Sequence, residues 1–261
     1  VERGFAAWNT AVAAAVEAVG TPAFPRRLEA AMATLVDFDI LMVFAYAGAA
    51  TPVCLHHNMD ETRAATVIHA YAAGPYVLDP FYTAATDPQV EGVRRLRDMA
   101  PDQFHNSEYW RRHYVRTGIR DEVGHVVRPV GWTGVVVSLT RPGTAPAFGR
   151  QDLVAIRAAH PVVRALAERH WTRPAAPGTT PSALGRDAVG ETIARRTRGI
   201  LTPREAEITW LILKGHSTRS IATRLRIAEG TVKIHRKNIY QKLAVSSQAA
   251  LFAMFLTPAE G

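Results

Sequence analysis

The stretch Glu229–Leu243, EGTVKIHRKNIYQKL, decides how the C-terminal part of this 261-residue chain folds. At about 100° per residue, Val232, His235, Ile239 and Leu243 share one side of a helix and should face a core. Lys233, Ile234, Lys237 and Gln241 fall opposite, within an arc of roughly 100°. Its one acid, Glu229, stands at the helix start, where the macrodipole favours it. A solvated basic face would give the same pattern, but an isoleucine set between two lysines has no use in water. A helix lying against an anionic surface accounts for both.

Working outward, the neighbours are all helical. Thr202-Pro203-Arg204-Glu205 is a capping box with proline at the first helical position, and Gly215 ends that helix. STRSIATRL predicts a short second helix, RIAEG a tight turn, and SSQAALFAMFL a fourth helix with a serine cap. Two short helices joined by a few residues, the second basic on its outer face, describe a helix-turn-helix. LFAMFL is apolar nearly all round, which predicts burial on one face and dimer contact on another.

Charge is concentrated in the same place. The chain carries a net +8. Residues 199–261 hold nine Lys and Arg against four Asp and Glu, a net +5 that leaves +3 for everything before. All four lysines, Lys214, Lys233, Lys237 and Lys242, lie there. Such focusing predicts a polyanion partner. The single cysteine, Cys54, excludes an internal disulfide and fits a cytosolic protein. No apolar run is long enough for a membrane span, and the Ala/Val-rich start reads as an amphipathic helix rather than a signal peptide.

Upstream, TRPAAPGTTPSALG is poor in core-forming residues and reads as a linker, giving expected boundaries of 1–171, 172–198 and 199–261. The first part mixes periods. Helices are expected over Phe5–Val19 and Pro25–Val36, a central strand over Phe38–Tyr46, and a second strand at PVCLHH. Further helices are expected over Asp60–Ala73, at DPFYTAAT and at SEYWRRHYVRTG. A hairpin follows at DEVGHVVRPVGWTGVVVSLTR, and a long helix with Pro161 inside closes the segment. The sum is an α/β sandwich, an antiparallel sheet with helices on both faces, of the GAF/PAS-like sensor type.

LTPREAEI…G…S…IATRL…TVKIHRKNIYQKL resembles the DNA-binding domain of LuxR-type transcriptional regulators, over about Gly199–Phe255. The resemblance implies a small four-helix domain whose third helix enters the major groove of double-stranded DNA. Lys233 and Lys237 would then meet guanine edges or phosphates, and Ile234 a thymine methyl. Thr231, Arg236, Thr218 and Arg219 would hold phosphates. Ala228 stands where the family caps the recognition helix with serine, and Thr209 where it has leucine. The resemblance also implies a homodimer, a contact with RNA polymerase, and regulation rather than catalysis. No GxSxG elbow and no HExxH occurs, and Ser138 sits mid-strand without an evident base.

Tyr71…Tyr76…Asp79-Pro80 is similar to the Tyr…Tyr…Asp-Pro segment of the family's acyl-homoserine-lactone-binding domain. Val67 replaces the family's tryptophan there, and the Tyr-to-Asp spacing is one residue short. The reading is a small, largely apolar ligand other than a lactone, lined by Tyr71, Tyr76, Tyr82, Trp110 and Trp132, with Asp79 at its polar end. Ordinary core aromatics, with Asp79 capping the helix at Pro80, would leave the same trace, and a sensor that binds a protein partner is the alternative. Cys54 and His56 share a strand face without further ligands, so no metal and no cofactor is expected.

Overall fold

The computed structural model describes residues 2–48, 50–72, 74–173, 193, 197 and 199–256. The linker expected over 172–198 lies almost wholly outside them, as does the helix suggested by RDAVGETIARRTRG. Two compact units emerge, one from residues 1–65, 80–99 and 118–183, the other from 66–79, 100–117 and 184–261.

The first unit is built on a five-stranded antiparallel sheet ordered β2-β1-β5-β4-β3. Its strands are β1 (Ile40–Tyr46), β2 (Val53–His57), β3 (Gly92–Arg95), β4 (Ile119–Val127) and β5 (Gly134–Pro142). On one face, Leu41, Val43, Val123, Val137 and Leu139 pack on α1 (Glu2–Glu17), α2 (Phe24–Ala33) and α7 (Arg150–Trp171). Each such side chain stabilises the fold by about 1.5–3 kcal/mol through burial. Strand alternation turns Met42, Phe44, Glu122, Gly124, Ser138 and Thr140 to the other face. There α5 (Pro80–Thr86) lies so close that a Cβ on Gly124 would stand 2.7 Å from Phe81. Helices therefore cover both faces, as the sequence predicts.

β3 is the element that the sequence does not announce. GVRR is short and cationic, and its pairing with β4 depends on Arg95, whose guanidinium forks onto Asp121 at 3.2 and 2.6 Å with both side chains buried. The two short helices α3 (Glu61–Ala64) and α4 (Ala70–Ala72) are joined by a π-helical turn over Ala65–His69. A second π-helical segment, Trp110–Val115, sits inside the helix expected at SEYWRRHYVRTG. Helix α6 (Leu96–Met99) follows β3.

The second unit contains α8 (Pro203–Lys214), α9 (Thr218–Leu225), α10 (Glu229–Lys242) and α11 (Gln248–Leu256). Ile208, Ile212, Ile221, Val232, Ile239, Leu251 and Phe252 form its helical core. Thr209 is wholly buried and donates its hydroxyl to the Glu205 carbonyl, so the helix absorbs the polar group that replaces leucine.

Candidate nucleic-acid interface

The motif is set by its caps. The Thr202 side chain accepts from the Glu205 N–H, and the Glu205 carboxylate accepts from the Thr202 N–H at 2.9 Å. The same carboxylate takes the Lys242 ammonium at 2.7 Å. Partial burial opposes its ionisation, but the bonds from Lys242 and Thr202 prevail and hold it below the usual carboxylate range. Lys242 is thereby committed to tying α10 to the start of α8. Gly215 closes α8 in the left-handed region at φ 95. Ser217 caps α9 by accepting from Ser220 N–H, and Arg226 takes the turn into α10 at φ 54.

Helix α10 presents the two faces that its spacing predicts. Val232 and Ile239 are wholly buried, Leu243 is buried and His235 half-buried. Thr231, Lys233 and Lys237 are exposed, and Ile234 between the lysines is 63% exposed. Arg219 is exposed on α9, whereas Thr218 and Arg236 are half-buried and share a 3.4 Å contact, guanidinium to hydroxyl. Ala228 occupies the N-cap in extended geometry but offers no side-chain bond.

The ligand candidates do not form one cluster. Tyr71 donates its hydroxyl to the buried Asp79 carboxylate at 2.8 Å and lies 6.2 Å from Tyr76, ring centre to ring centre. Trp110 stacks on Tyr114 at 5.0 Å in the same unit. In the other unit Tyr82 meets Tyr46 edge-on at 5.5 Å. Trp132 is not with Tyr82. It donates to the Trp171 carbonyl, lies under the Arg173 guanidinium and packs on the cluster formed by α1, α2 and α7. His56 reaches Glu29 at 3.4 Å, and the Cys54 thiol lies 3.5 Å from the His56 carbonyl.

Two features escape the sequence. On the α5 face of the sheet, Ser138 donates to the buried Glu122 carboxylate, beside Thr140, whose buried hydroxyl has no hydrogen-bond partner. Glu122 and Thr140 are register partners across β4 and β5, so strand alternation alone could have put them together. The other is Asp102, whose carboxylate accepts from the Ser217 N–H at 3.0 Å. No local pattern links residues so far apart.

Residues 199–255 match the family model for bacterial regulatory proteins of the luxR family. MctR of Rhizobium johnstonii, a transcriptional regulatory protein, is 45% identical over 51 residues, 20% of this chain and 24% of that one. The VqsR LBD domain from Pseudomonas aeruginosa shares the fold, with a TM-score of 0.55 at 24% identity over 63% of this chain and 96% of that one. A protein of Aeromonas salmonicida from the exeN 3′ region, described as an HTH-type transcriptional regulator, is 31% identical over 183 residues, 68% of this chain and 93% of that one. With a relative matched over nearly its whole length and the helix-turn-helix matched as a unit, the chain belongs to the LuxR family of DNA-binding transcriptional regulators.

Proposed function

We propose that the protein is a dimeric, ligand-responsive regulator. Its sensor spans residues 1–171, its linker 172–198 and its DNA-binding domain 199–261. Helix α10 reads the major groove through Lys233, Ile234 and Lys237, while Thr231, Arg236, Thr218 and Arg219 hold phosphates. The observation that carries this reading is the exposed isoleucine between two exposed lysines, opposite a buried stripe. An apolar side chain left in water there is useful only against another apolar group, and the thymine methyl is the one that the groove offers.

The sensor takes a small apolar ligand whose polar end meets Asp79, already oriented by Tyr71. Binding of the folded state alone stabilises it by about 2.7 kcal/mol at a hundred times the dissociation constant. Lys233→Ala tests the DNA reading: it should lose about 1–3 kcal/mol of preference for operator over random duplex. Unchanged affinity for both would remove the groove assignment. Thermal unfolding against acylated lactones, then aromatic and amine metabolites, tests the sensor. A melting shift that Asp79→Asn abolishes supports it, and no shift with any compound favours a protein partner instead.

A further inference from the structure

Residues 102–104 grip the turn that joins α8 to α9. The Gln103 N–H donates to the Gly215 carbonyl at 2.9 Å, and the Asp102 carboxylate accepts from the Ser217 N–H. Between them Phe104 packs backbone against backbone: a Cβ at position 215 would stand 2.9 Å from the Phe104 Cα and 3.2 Å from the Gln103 carbonyl oxygen. Farther along, the Arg112 guanidinium lies over the Phe252 ring of α11, 5.2 Å from its centre. The four helices of the DNA-binding unit are thus held at two places by the segment 100–117.

The position of Asp102 gives this grip its meaning. In a helix-turn-helix the first helix crosses the nucleic-acid backbone, and a helix N-terminus with free N–H groups is a natural seat for a phosphate. Helix α9 is that first helix. Thr218 and Arg219 open it, and they are the residues assigned to phosphates above. A carboxylate on the Ser217 N–H puts a fixed negative charge where a backbone phosphate would approach. Burial opposes the ionisation of Asp102, but bonds from Ser217 and the nearby His216 hold it below the ordinary carboxylate range, so the charge is present at neutral pH.

We infer that the segment Asp102–Phe104 is an internal competitor of DNA: while Asp102 occupies the N-terminus of α9, that helix cannot take a backbone phosphate, and the docked arrangement is the DNA-released state. This rests on the DNA-binding reading above. Its release would free α9 without any change inside the four-helix core.

Two measurements test it, both on the full chain with a fluorescein-labelled duplex of mixed sequence, followed by anisotropy. Asp102→Asn keeps the shape and removes the charge. It should bind about three- to tenfold tighter, with a slope of log affinity against log salt steeper by about 0.9, one phosphate more. Asp98→Asn, the same charge change four residues earlier, should leave the slope alone. For the second, Gln103→Cys with His216→Cys is placed in a Cys54→Ser background. Oxidation should cut duplex binding at least about tenfold, and reductant should restore it. If the oxidised chain binds as well as the reduced one, the docked state is compatible with DNA and the inference is overturned. An Asp102→Asn chain with wild-type affinity and slope overturns it too. If no form binds any duplex, the DNA-binding surface itself is misassigned, which Lys233→Ala separates by a different failure: retained binding with unchanged preference.

Discussion

His113 is 6% exposed, stacked on Tyr109 with ring centres 5.4 Å apart, and burial pushes it down from 6.5 to about 4. The folded state therefore refuses a proton that the unfolded chain accepts. Its contribution is complete above about pH 6.5 and is lost as pH falls towards 4, by up to about 3 kcal/mol. Urea midpoints measured at neutral and mildly acidic pH should converge in His113→Phe relative to the wild type. An equal acid loss in both would mean that the proton goes elsewhere. Arg128 shows why such residues are hard to read in advance. In the sequence it is one cation in a hairpin, VVRPVGW. In the fold its guanidinium donates to the carbonyls of Ala84, Ala85, Asp87, Val90 and Thr133, closing the C-terminus of α5 against the sheet. Its partners lie up to 44 residues away, and no spacing rule reaches that far.

At the scale of elements, local chemistry is readable and remote chemistry is not. The capping box at Thr202, the glycine that ends α8 and the two-faced α10 all rest on residues within one or two turns, and each is found where the spacing puts it. β3 rests on Arg95 meeting Asp121, 26 residues on, and four residues of local sequence carry no hint of it. The recognition helix also has an unused improvement. Ala228 already holds the extended N-cap geometry, φ −70 and ψ 148, with no side-chain acceptor. Ala228→Ser should stabilise the folded chain by about 0.5–2 kcal/mol, read as a higher denaturation midpoint with an unchanged slope. A neutral or lower midpoint would mean that the free amides at this end are already satisfied.

Across the whole molecule, the DNA-facing candidates were within reach of the sequence because one helical period fixes them. The ligand candidates were not, because aromatic residues mark cores as readily as cavities. Trp132 went to the helix side of the sheet, bound by Trp171 and Arg173, while Glu122 and Thr140, which the aromatic pattern passed over, share the face with α5. Charge distribution carries a separate expectation. Arg219, Lys233, Arg236 and Lys237 can neutralise four phosphates in one chain and eight in a dimer. The slope of log affinity against log salt should then approach about −7 for a dimer and about −3.6 for a monomer. A salt titration beside sedimentation of the full chain at micromolar concentration decides between them. A shallow slope from a sedimenting dimer would show that half of these cations never reach the backbone.

The two π-helical turns, Ala65–His69 and Trp110–Val115, bear on how this sensor can change its specificity. A π turn is a helix that has swallowed one extra residue, so each marks a place where chain length and helical phase are decoupled. Dropping a single residue from Ala65–His69 would restore ordinary winding and rotate everything downstream by about 100° relative to what precedes it. Tyr71, only two residues beyond that turn, would swing away from Asp79. Single-residue insertions and deletions here act as a phase dial on the aromatic lining, a route to new ligand preferences that needs no substitution in the lining itself.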